Sequence, residues 1–271
     1  SARWLRTCLI PQSFEDKMTD KSKKNVSEAE KQIDFGFIKV EEAKKEEKVR
    51  EVFDSVAPKY DLMNDILSFG MHRGWKHRCI REAEVTRGMK LLDIASGTCD
   101  LAIAFAHRTN AENITATDIN YEMLSYGRQR LEQLGLNCQV IQADAEHLPF
   151  EDNAFDRVTV SFGIRNMTHK DRALAEMLRV LKPGGKLLVL EFSKCAPLLK
   201  PFYDFYSFHF MPWLGGKIAG DADSYRYLAE SIRMHPDQPT FANLMRSVGF
   251  SRVKWHNLTF GVCALHIGIK P

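Results

Sequence analysis

The stretch from Leu91 to Ala102 constrains the fold of this chain more than any other. A hydrophobic strand there runs up to Asp93, passes through a turn of small residues and enters a helix. A second predicted strand ends at Asp118, about 20 residues after the turn. In a doubly wound sheet, small residues in the first turn let the backbone approach a nucleotide-like ligand, and the acid that ends the second strand binds ribose hydroxyls. The stretch therefore predicts a βαβ unit that binds such a ligand.

Strands and helices alternate after this point, which indicates a parallel sheet with helices on both faces. Two closing strands are joined at 259–261 by a link too short for a parallel crossover, so we expect an antiparallel hairpin. The predicted fold class is α/β, a Rossmann-like, doubly wound, mostly parallel seven-stranded sheet with an antiparallel C-terminal hairpin. The predicted strands are 90–94, 113–118, 138–143, 155–161, 186–192, 250–258 and 260–269, and the predicted helices are 100–108, 121–134, 171–181, 198–211, 224–233 and 238–248.

Helical periodicity also precedes the sheet, at 41–56, 60–69 and 72–83, and predicts a helical cap over its ligand-binding edge. We therefore divide the chain into an N-terminal extension, 1–34, and one domain, 35–271, that includes the cap at 41–83. The extension is polar and rich in Lys and Glu from residue 15, which is typical of a flexible segment. Its first ten residues contain arginines and hydroxyls but no acid, which suits either a remnant of a mitochondrial presequence or an arbitrary boundary on a disordered tail.

The composition excludes several classes of function. Lys and Arg number 38 against 35 acidic residues, a balance that gives no support for nucleic-acid binding. The six cysteines form no CxxC pair, which favours a reducing compartment over a disulfide framework or a zinc site. No apolar run approaches the roughly 20 residues of a membrane-spanning helix, so we expect a soluble or peripheral protein.

The acids at successive strand ends indicate which ligand is bound. The dinucleotide fingerprint is absent, because its glycine positions are occupied by Ala95, Gly97 and Asp100, so a dehydrogenase is not favoured. Asp93 suits an ammonium group, Asp118 suits ribose, and the segment 144–146 after the third strand suits the edge of adenine. Each acid alone is more typical of a helix N-cap or a turn, but three together describe S-adenosylmethionine.

Long stretches of the chain carry a family resemblance. They are FGF at 35–37, VFDSVA at 52–57, KYDLMND at 59–65, SFGMHR at 68–73, WK at 75–76, SFGIRN at 161–166, RVLKPGG at 179–185, LEFS at 190–193, YSFH at 206–209 and DADSYRYLAESIRMHPDQ at 221–238. In them the chain resembles the class I S-adenosylmethionine-dependent methyltransferases. Among these it is similar to the ubiquinone/menaquinone biosynthesis C-methyltransferases, the 2-methoxy-6-polyprenyl-1,4-benzoquinol methylases.

The resemblance implies a set of residues that bind S-adenosylmethionine. They are Asp93, Gly97, Thr98, Asp118, Asp144, Ala145 and Ser161. Family members carry glycines where this chain has Ser96 and Cys99. We expect neither replacement to need a positive φ if the helix begins near residue 98. A cysteine at a helix N-terminus is also expected to have its thiolate favoured by the helix dipole and to be oxidisable.

The implied reaction moves a methyl group to a ring carbon of a polyprenylated methoxy-benzoquinol, which requires ionisation of a ring hydroxyl. Arg165 is the predicted stabiliser of the phenolate, with an ion pair to a nearby acid as its alternative role. Asn166 could orient the hydroxyl or a water molecule, and Tyr60 could close over the site or simply pack. His209 is predicted to be a core histidine rather than the base.

The aromatic segment 198–214 is a candidate wall for the polyprenyl chain or, alternatively, a core helix or a homodimer contact. The resemblance implies peripheral membrane association and a multi-enzyme complex of quinone-biosynthesis proteins. The presequence-like N-terminus is the only hint in the sequence of a mitochondrion and hence of ubiquinone, and it predicts a place on the matrix side of the inner membrane, with a bacterial-type cytoplasmic location as the alternative. Two other functions stay open. They are methylation of demethylmenaquinone, and a non-catalytic S-adenosylmethionine-binding scaffold.

Overall fold

A small hairpin and three helices precede the main sheet. The computed structural model describes residues 32–57, 60–218 and 220–271, without the side chain of Tyr60. The hairpin pairs β1 (Gln32–Phe35) with β2 (Ile38–Glu41) in antiparallel register. The helices are α1 (Glu42–Val56), α2 (Tyr60–Leu67) and α3 (Met71–Ala83), close to the three predicted segments of the cap.

The hairpin was not predicted from the sequence. Its strands have four residues each, too short for a clear alternating pattern. Gly36, with φ +59°, makes the turn between them. The first described strand thus begins at Gln32, ahead of the predicted boundary at 35, and residues 1–31 of the predicted extension lie outside the described residues.

The main sheet confirms the predicted fold class. Within the described ranges its seven strands are β3 (Leu91–Ile94), β4 (Ile114–Asp118), β5 (Gln139–Gln142), β6 (Phe155–Ser161), β7 (Leu181–Phe192), β8 (Ser251–Leu258) and β9 (Cys263–Ile269). Their order is β5-β4-β3-β6-β7-β9-β8. The first five strands in this order are parallel, while β9 runs antiparallel to both β7 and β8. The predicted C-terminal hairpin is therefore correct.

Helices cover both faces of this sheet. They are α4 (Asp100–Ala106), α5 (Tyr121–Gln133), α6 (Lys170–Val180), α7 (Lys200–Phe205), α8 (Met211–Ile218), α9 (Ala222–Met234) and α10 (Gln238–Val248). A π turn at Tyr206–Phe210 joins α7 to α8. The neighbouring residues Leu91 and Leu92 pack into separate apolar layers, because successive side chains of a strand point to opposite faces. One layer includes residues of α6 and α10, and the other includes residues of α3 and α4. Two packed layers hold the carboxyl ends of the parallel strands in fixed positions, and the site is built there.

Candidate active site

A cavity of about 830 Å³, here called the polar cavity, opens where the parallel strands end. Its walls come from the turn after β3, from the ends of β4 and β6, from the segment after β5, and from α1. Five of the seven predicted cofactor residues lie in its wall. They are Gly97, Asp118, Asp144, Ala145 and Ser161.

The carboxylate of Asp118 is held in place by two backbone amides. Its Oδ2 accepts a hydrogen bond from the Gly97 N–H at 2.9 Å, and its Oδ1 accepts one from the Asn120 N–H at 2.9 Å. Burial raises the pKa of this carboxyl above its ordinary value. The first bond ties the end of β4 to the small-residue turn, so the acid and the turn approach a ligand as one unit. A fixed acceptor at this place fits the hydroxyls of a ribose.

Ser161 presents an unused polar group to the polar cavity. Its hydroxyl is buried and has no hydrogen-bond partner among the described residues. Leaving a buried hydroxyl unpaired costs free energy, so such groups in proteins usually have a partner. A polar ligand in this cavity would supply one. The cavity therefore fits a nucleoside-containing cofactor such as S-adenosylmethionine.

The other two predicted cofactor residues lie outside this wall. Asp93 sits within β3, in register with Ala116 and Thr159, where it is only 1% exposed. Its Oδ1 accepts a hydrogen bond from the Thr159 hydroxyl at 2.6 Å, and burial raises its pKa to about 6. Thr98 is also buried, and its hydroxyl donates to Asp61 Oδ1 at 2.9 Å. Asp93 therefore lies within the sheet beneath the turn, and Thr98 contacts α2.

The turn itself departs from the expectation for Cys99. Helix α4 begins at Asp100, as predicted, and not near residue 98, so Cys99 precedes it with φ +61°. The side chain is fully buried beside Gly127 of α5, where a methyl group added to the glycine would come within 2.5 Å of Sγ. Burial raises the pKa of Cys99 to about 12. The expectation of no positive φ, which assumed a helix start near residue 98, is therefore wrong for Cys99. The expectation of an oxidisable thiolate is also wrong, because desolvation of the thiolate outweighs the helix dipole.

A second cavity of about 500 Å³, here called the apolar cavity, adjoins the first. It lies among α1, α2, α3, α7 and α9, and aromatic and aliphatic side chains form most of its wall. Phe53, Phe162 and Asn166 line both cavities. The two spaces meet at the segment that follows β6, so a molecule in one can approach a molecule in the other.

Arg165 lies in the wall of the apolar cavity, but its charge is already paired. Its guanidinium donates to Glu191 Oε1 at 2.8 Å and to the carbonyl of Phe162, and the two paired side chains are 5% and 2% exposed. The alternative role, an ion pair to a nearby acid, is thus what the structure contains. Asn166 Oδ1 accepts a hydrogen bond from the Tyr227 hydroxyl at 3.1 Å. Burial raises the pKa of Tyr227 to about 12, so this tyrosine stays a donor.

Two predicted residues remain, Tyr60 and His209. The side chain of Tyr60 lies outside the described part of the chain. His209 is exposed and stacks on Phe205 with ring centroids 5.0 Å apart, so the prediction of a core histidine is wrong. The π turn is the reason, because it carries the side chain of His209 away from the packed side of this segment.

Sequence reasoning also missed two residues that the structure brings to the apolar cavity. Phe53 of α1 lines both cavities, and His72 lines the apolar cavity at the start of α3. Both belong to stretches that carry the family resemblance. Their motifs could have indicated a role, but only the packing of the cap over the sheet shows which side chains face the cavity.

An exposed apolar rim surrounds part of the apolar cavity. It consists of Phe69, Leu198, Phe202 and Phe260, which are 73%, 84%, 75% and 75% exposed. Phe69 and Phe202 also line the cavity. Among the described residues, no helix has the length and apolar character needed to cross a bilayer.

The sequence matches known proteins over most of its length. The model of the ubiE/COQ5 methyltransferase family matches residues 41–270. The ubiquinone/menaquinone biosynthesis C-methyltransferase UbiE of Bordetella avium is 61% identical over 237 residues, which are 87% of this chain and 93% of that protein. The protein of the same name from Cupriavidus pinatubonensis is 60% identical over 237 residues, 87% of this chain and 98% of that protein.

Solved structures show the same fold at low identity. A methyltransferase of Thermotoga maritima that depends on S-adenosylmethionine has a TM-score of 0.59 at 18% identity, over 82% of this chain and 99% of that chain. Another, from Aquifex aeolicus, has a TM-score of 0.52 at 17% identity, over 72% and 89%. These likenesses concern the fold alone.

Proposed function

The chain belongs to the ubiE/COQ5 methyltransferase family, and we infer that it transfers the methyl group of S-adenosylmethionine to a ring carbon of a polyprenylated quinol. It is a C-methyltransferase that uses S-adenosylmethionine as its cofactor. The acceptor we propose is 2-methoxy-6-polyprenyl-1,4-benzoquinol. The name of these relatives covers both ubiquinone and menaquinone, so demethylmenaquinone is the second candidate.

One observation is the main support for this proposal. A polar cavity that fits a nucleoside and an apolar cavity that fits a prenylated ring share Phe53, Phe162 and Asn166. A methyl group moves directly between two molecules only when they are held near contact distance and in line. Two adjoining cavities with a common wall provide that arrangement, and a scaffold that only bound the cofactor would have no need of the second.

The residues of the polar cavity hold and orient the cofactor. When bound, S-adenosylmethionine supplies an electrophilic methyl group. We propose that Asp118 accepts hydrogen bonds from ribose hydroxyls and that Ser161 pairs its free hydroxyl with the cofactor. The segment Asp144–Ala145 lies at the adenine end, and the absence of a Cβ at Gly97 lets the turn approach closely. Asp93 and Thr98 support the turn from behind.

The residues of the apolar cavity hold the ring and exclude water. Asn166, fixed by Tyr227, is placed to orient a ring hydroxyl. Arg165 faces the same cavity, but Glu191 neutralises most of its charge, so it stabilises a phenolate less than a free guanidinium would. The pair fixes the turn that carries Asn166. Tyr60 is proposed to close over this cavity from α2.

The apolar rim suits a surface from which a long-chain quinol is taken up. We propose peripheral binding to a membrane there, with the prenyl tail passing between Phe69 and Phe202.

Contacts with other quinone-biosynthesis proteins, and a homodimer through the aromatic segment 198–214, are further proposals. The relatives named above are bacterial, and the segment that suggested a mitochondrial presequence lies outside the described residues, so the mitochondrial location stays a prediction.

Two measurements test the function. Calorimetry with S-adenosylmethionine checks binding, and a radiolabelled methyl-transfer assay on matched short-tailed benzoquinol and naphthoquinol acceptors checks chemistry. We expect binding, and transfer that is faster to the benzoquinol. Binding without transfer to either acceptor would support the scaffold alternative instead, whereas faster transfer to the naphthoquinol would support the menaquinone alternative.

A further inference from the structure

His72 and Asp65 form a hydrogen-bonded dyad beside the apolar cavity, in which His72 is buried in the cavity wall and Asp65 is partly exposed. His72 is the second residue of α3 and is 8% exposed. Its Nε2 lies 2.7 Å from Oδ1 of Asp65 on α2. A carboxylate can only accept a hydrogen bond, so Nε2 carries the proton of the neutral ring and Nδ1 keeps a lone pair. Nδ1 is buried and has no hydrogen-bond partner among the described residues.

Asp65 is anchored on its other side. Arg73 donates from Nε to Oδ1 at 2.8 Å and also bonds Oδ2. The hydrogen bond from Arg73, and then that from His72, lower the pKa of Asp65 to about 2. The carboxylate therefore stays ionised at neutral pH and keeps the imidazole in one tautomer and one orientation. The same arrangement holds the basic nitrogen of a catalytic histidine in many hydrolases.

Other titratable side chains in this wall are poor proton acceptors. The ammonium group of Lys76 donates to Asp100 at 2.8 Å. Arg165 is a guanidinium, which stays protonated in proteins. Burial raises the pKa of three tyrosines of the wall to about 12: Tyr203, Tyr206 and Tyr227. Within the described part of the cavity wall, this leaves the unpaired imidazole nitrogen as the group best able to accept a proton.

We propose that His72 is the general base that takes the proton of a ring hydroxyl through Nδ1, and that Asp65 is its positioning residue. This inference rests on the proposed function. The O–H bond breaks, an N–H bond forms, and the electron pair stays on oxygen, from which it raises the electron density of the ortho ring carbon. After the methyl group has been accepted, the ring carbon loses its own proton to solvent and the oxygen recovers one from His72. The turnover therefore releases one proton in total.

Several charged side chains belong to the surroundings of His72. They are Asp65 of α2, Arg73 and Lys76 of α3, and Arg165 of the turn at 164–166. A general base acts only in its unprotonated form, so general-base catalysis predicts a rate of methyl transfer that falls at acidic pH.

The test compares His72→Asn with His77→Asn, an exposed histidine on the same helix, in the full-length protein. We expect His72→Asn to lower kcat about 100-fold or more while the affinity for S-adenosylmethionine is kept, and to remove the acid limb of the pH profile. His77→Asn should leave kcat and the pH profile unchanged. Asp65→Asn should give a smaller loss of kcat and a shifted acid limb.

Two rescue experiments separate chemistry from folding. Imidazole added to His72→Gly should restore part of the lost rate, and a fluorinated quinol with a more acidic hydroxyl should lose less rate with His72→Asn than the ordinary quinol. Unchanged kcat and pH profile in His72→Asn would overturn the base, as would a loss that neither imidazole nor the acidic quinol relieves. If the unaltered protein transfers no methyl group to any quinol, the proposed function itself fails, and the base fails with it.

Discussion

The buried carboxyl of Asp93 links the stability of this protein to pH. Burial raises its pKa to about 6, against about 3.9 in an unfolded chain. The native state therefore binds a proton more tightly, and the stability from this residue is present below about pH 4 and is lost as pH rises through 6. Two pKa units correspond to a loss of about 3 kcal/mol.

Asp93→Asn should remove this dependence. Urea unfolding at pH 4, 5, 6 and 7 should show the free energy of unfolding of the variant gaining about 3 kcal/mol relative to the unaltered protein as pH rises. A difference between the two proteins that is the same at every pH would contradict the assigned pKa.

Cys99 tests whether the turn needs glycine to bind the cofactor. The cysteine holds φ at +61°, where glycine is less strained, but its side chain fills space beside Gly127 rather than in the polar cavity. We expect Cys99→Gly to change the affinity for S-adenosylmethionine by less than about twofold, because less than about 0.5 kcal/mol of binding energy is at stake. Calorimetry checks this, with Asp118→Asn as the variant expected to lose at least about tenfold. A tenfold change with Cys99→Gly would mean that the cysteine distorts the cofactor site.

At the scale of single residues, the sequence predicted which residues belong to the site better than it predicted how their side chains are arranged. Asp118 was predicted from its position at a strand end and Gly97 and Ser161 from the family resemblance, and all three line the polar cavity. Asp93 and Thr98 were also predicted as cofactor residues but lie outside its wall, because strand register and helix packing decide where a side chain points. The pairing of Arg165 with Glu191 joins residues 26 positions apart, one in the turn after β6 and the other on β7, and no local pattern reveals it.

At the scale of elements, one hydrogen bond connects the cap to the cofactor turn. The Thr98 hydroxyl donates to Asp61 of α2, and Arg130 of α5 bonds both the Thr98 carbonyl and Asp61. Helix α2 forms part of the apolar cavity, so this contact aligns the acceptor with the cofactor. Thr98 therefore acts on the cap in this structure, although the family resemblance implied direct contact with the cofactor.

Thr98→Val should separate these two roles. Losing one hydrogen bond of about 1 kcal/mol should lower kcat/KM for the quinol about fivefold and leave the affinity for S-adenosylmethionine nearly unchanged. Thr109→Val, which removes a buried hydroxyl bonded to the Met89 carbonyl, serves as the matched control. A tenfold loss of cofactor affinity in Thr98→Val alone would favour the direct contact.

Long periodic elements were predictable, and short irregular ones were not. Helices α1, α2 and α3 and the seven strands follow from periodicity and turn residues. Strand β7 begins at Leu181, before the predicted start at 186, because an irregular register lets the chain pair with β6 on both sides of the two glycines. The π turn at 206–210 has no recognisable sequence pattern, and it moved His209 to the surface.

At the scale of the whole molecule, the apolar rim and the apolar cavity belong to one surface. Burying an aromatic side chain in a lipid interface is worth about 1.5–3 kcal/mol. The double variant Phe69→Ser, Phe202→Ser should therefore lose at least about tenfold in binding to phospholipid vesicles, measured by co-sedimentation. Leu134→Ser, an exposed apolar residue at the end of α5, should bind like the unaltered protein. Equal binding by all three proteins would assign the rim to another partner.

The position of the transferred methyl group tests the central claim, that adjoining cavities bring S-adenosylmethionine to a quinol ring carbon. The unaltered protein would be supplied with S-adenosylmethionine labelled with ¹³C in its methyl group and with a short-tailed methoxy-benzoquinol, and the product would be analysed by NMR. We predict the label on a ring carbon next to a hydroxyl-bearing carbon, with loss of the ring proton there. A label on oxygen, or bound cofactor with no labelled product, would contradict it.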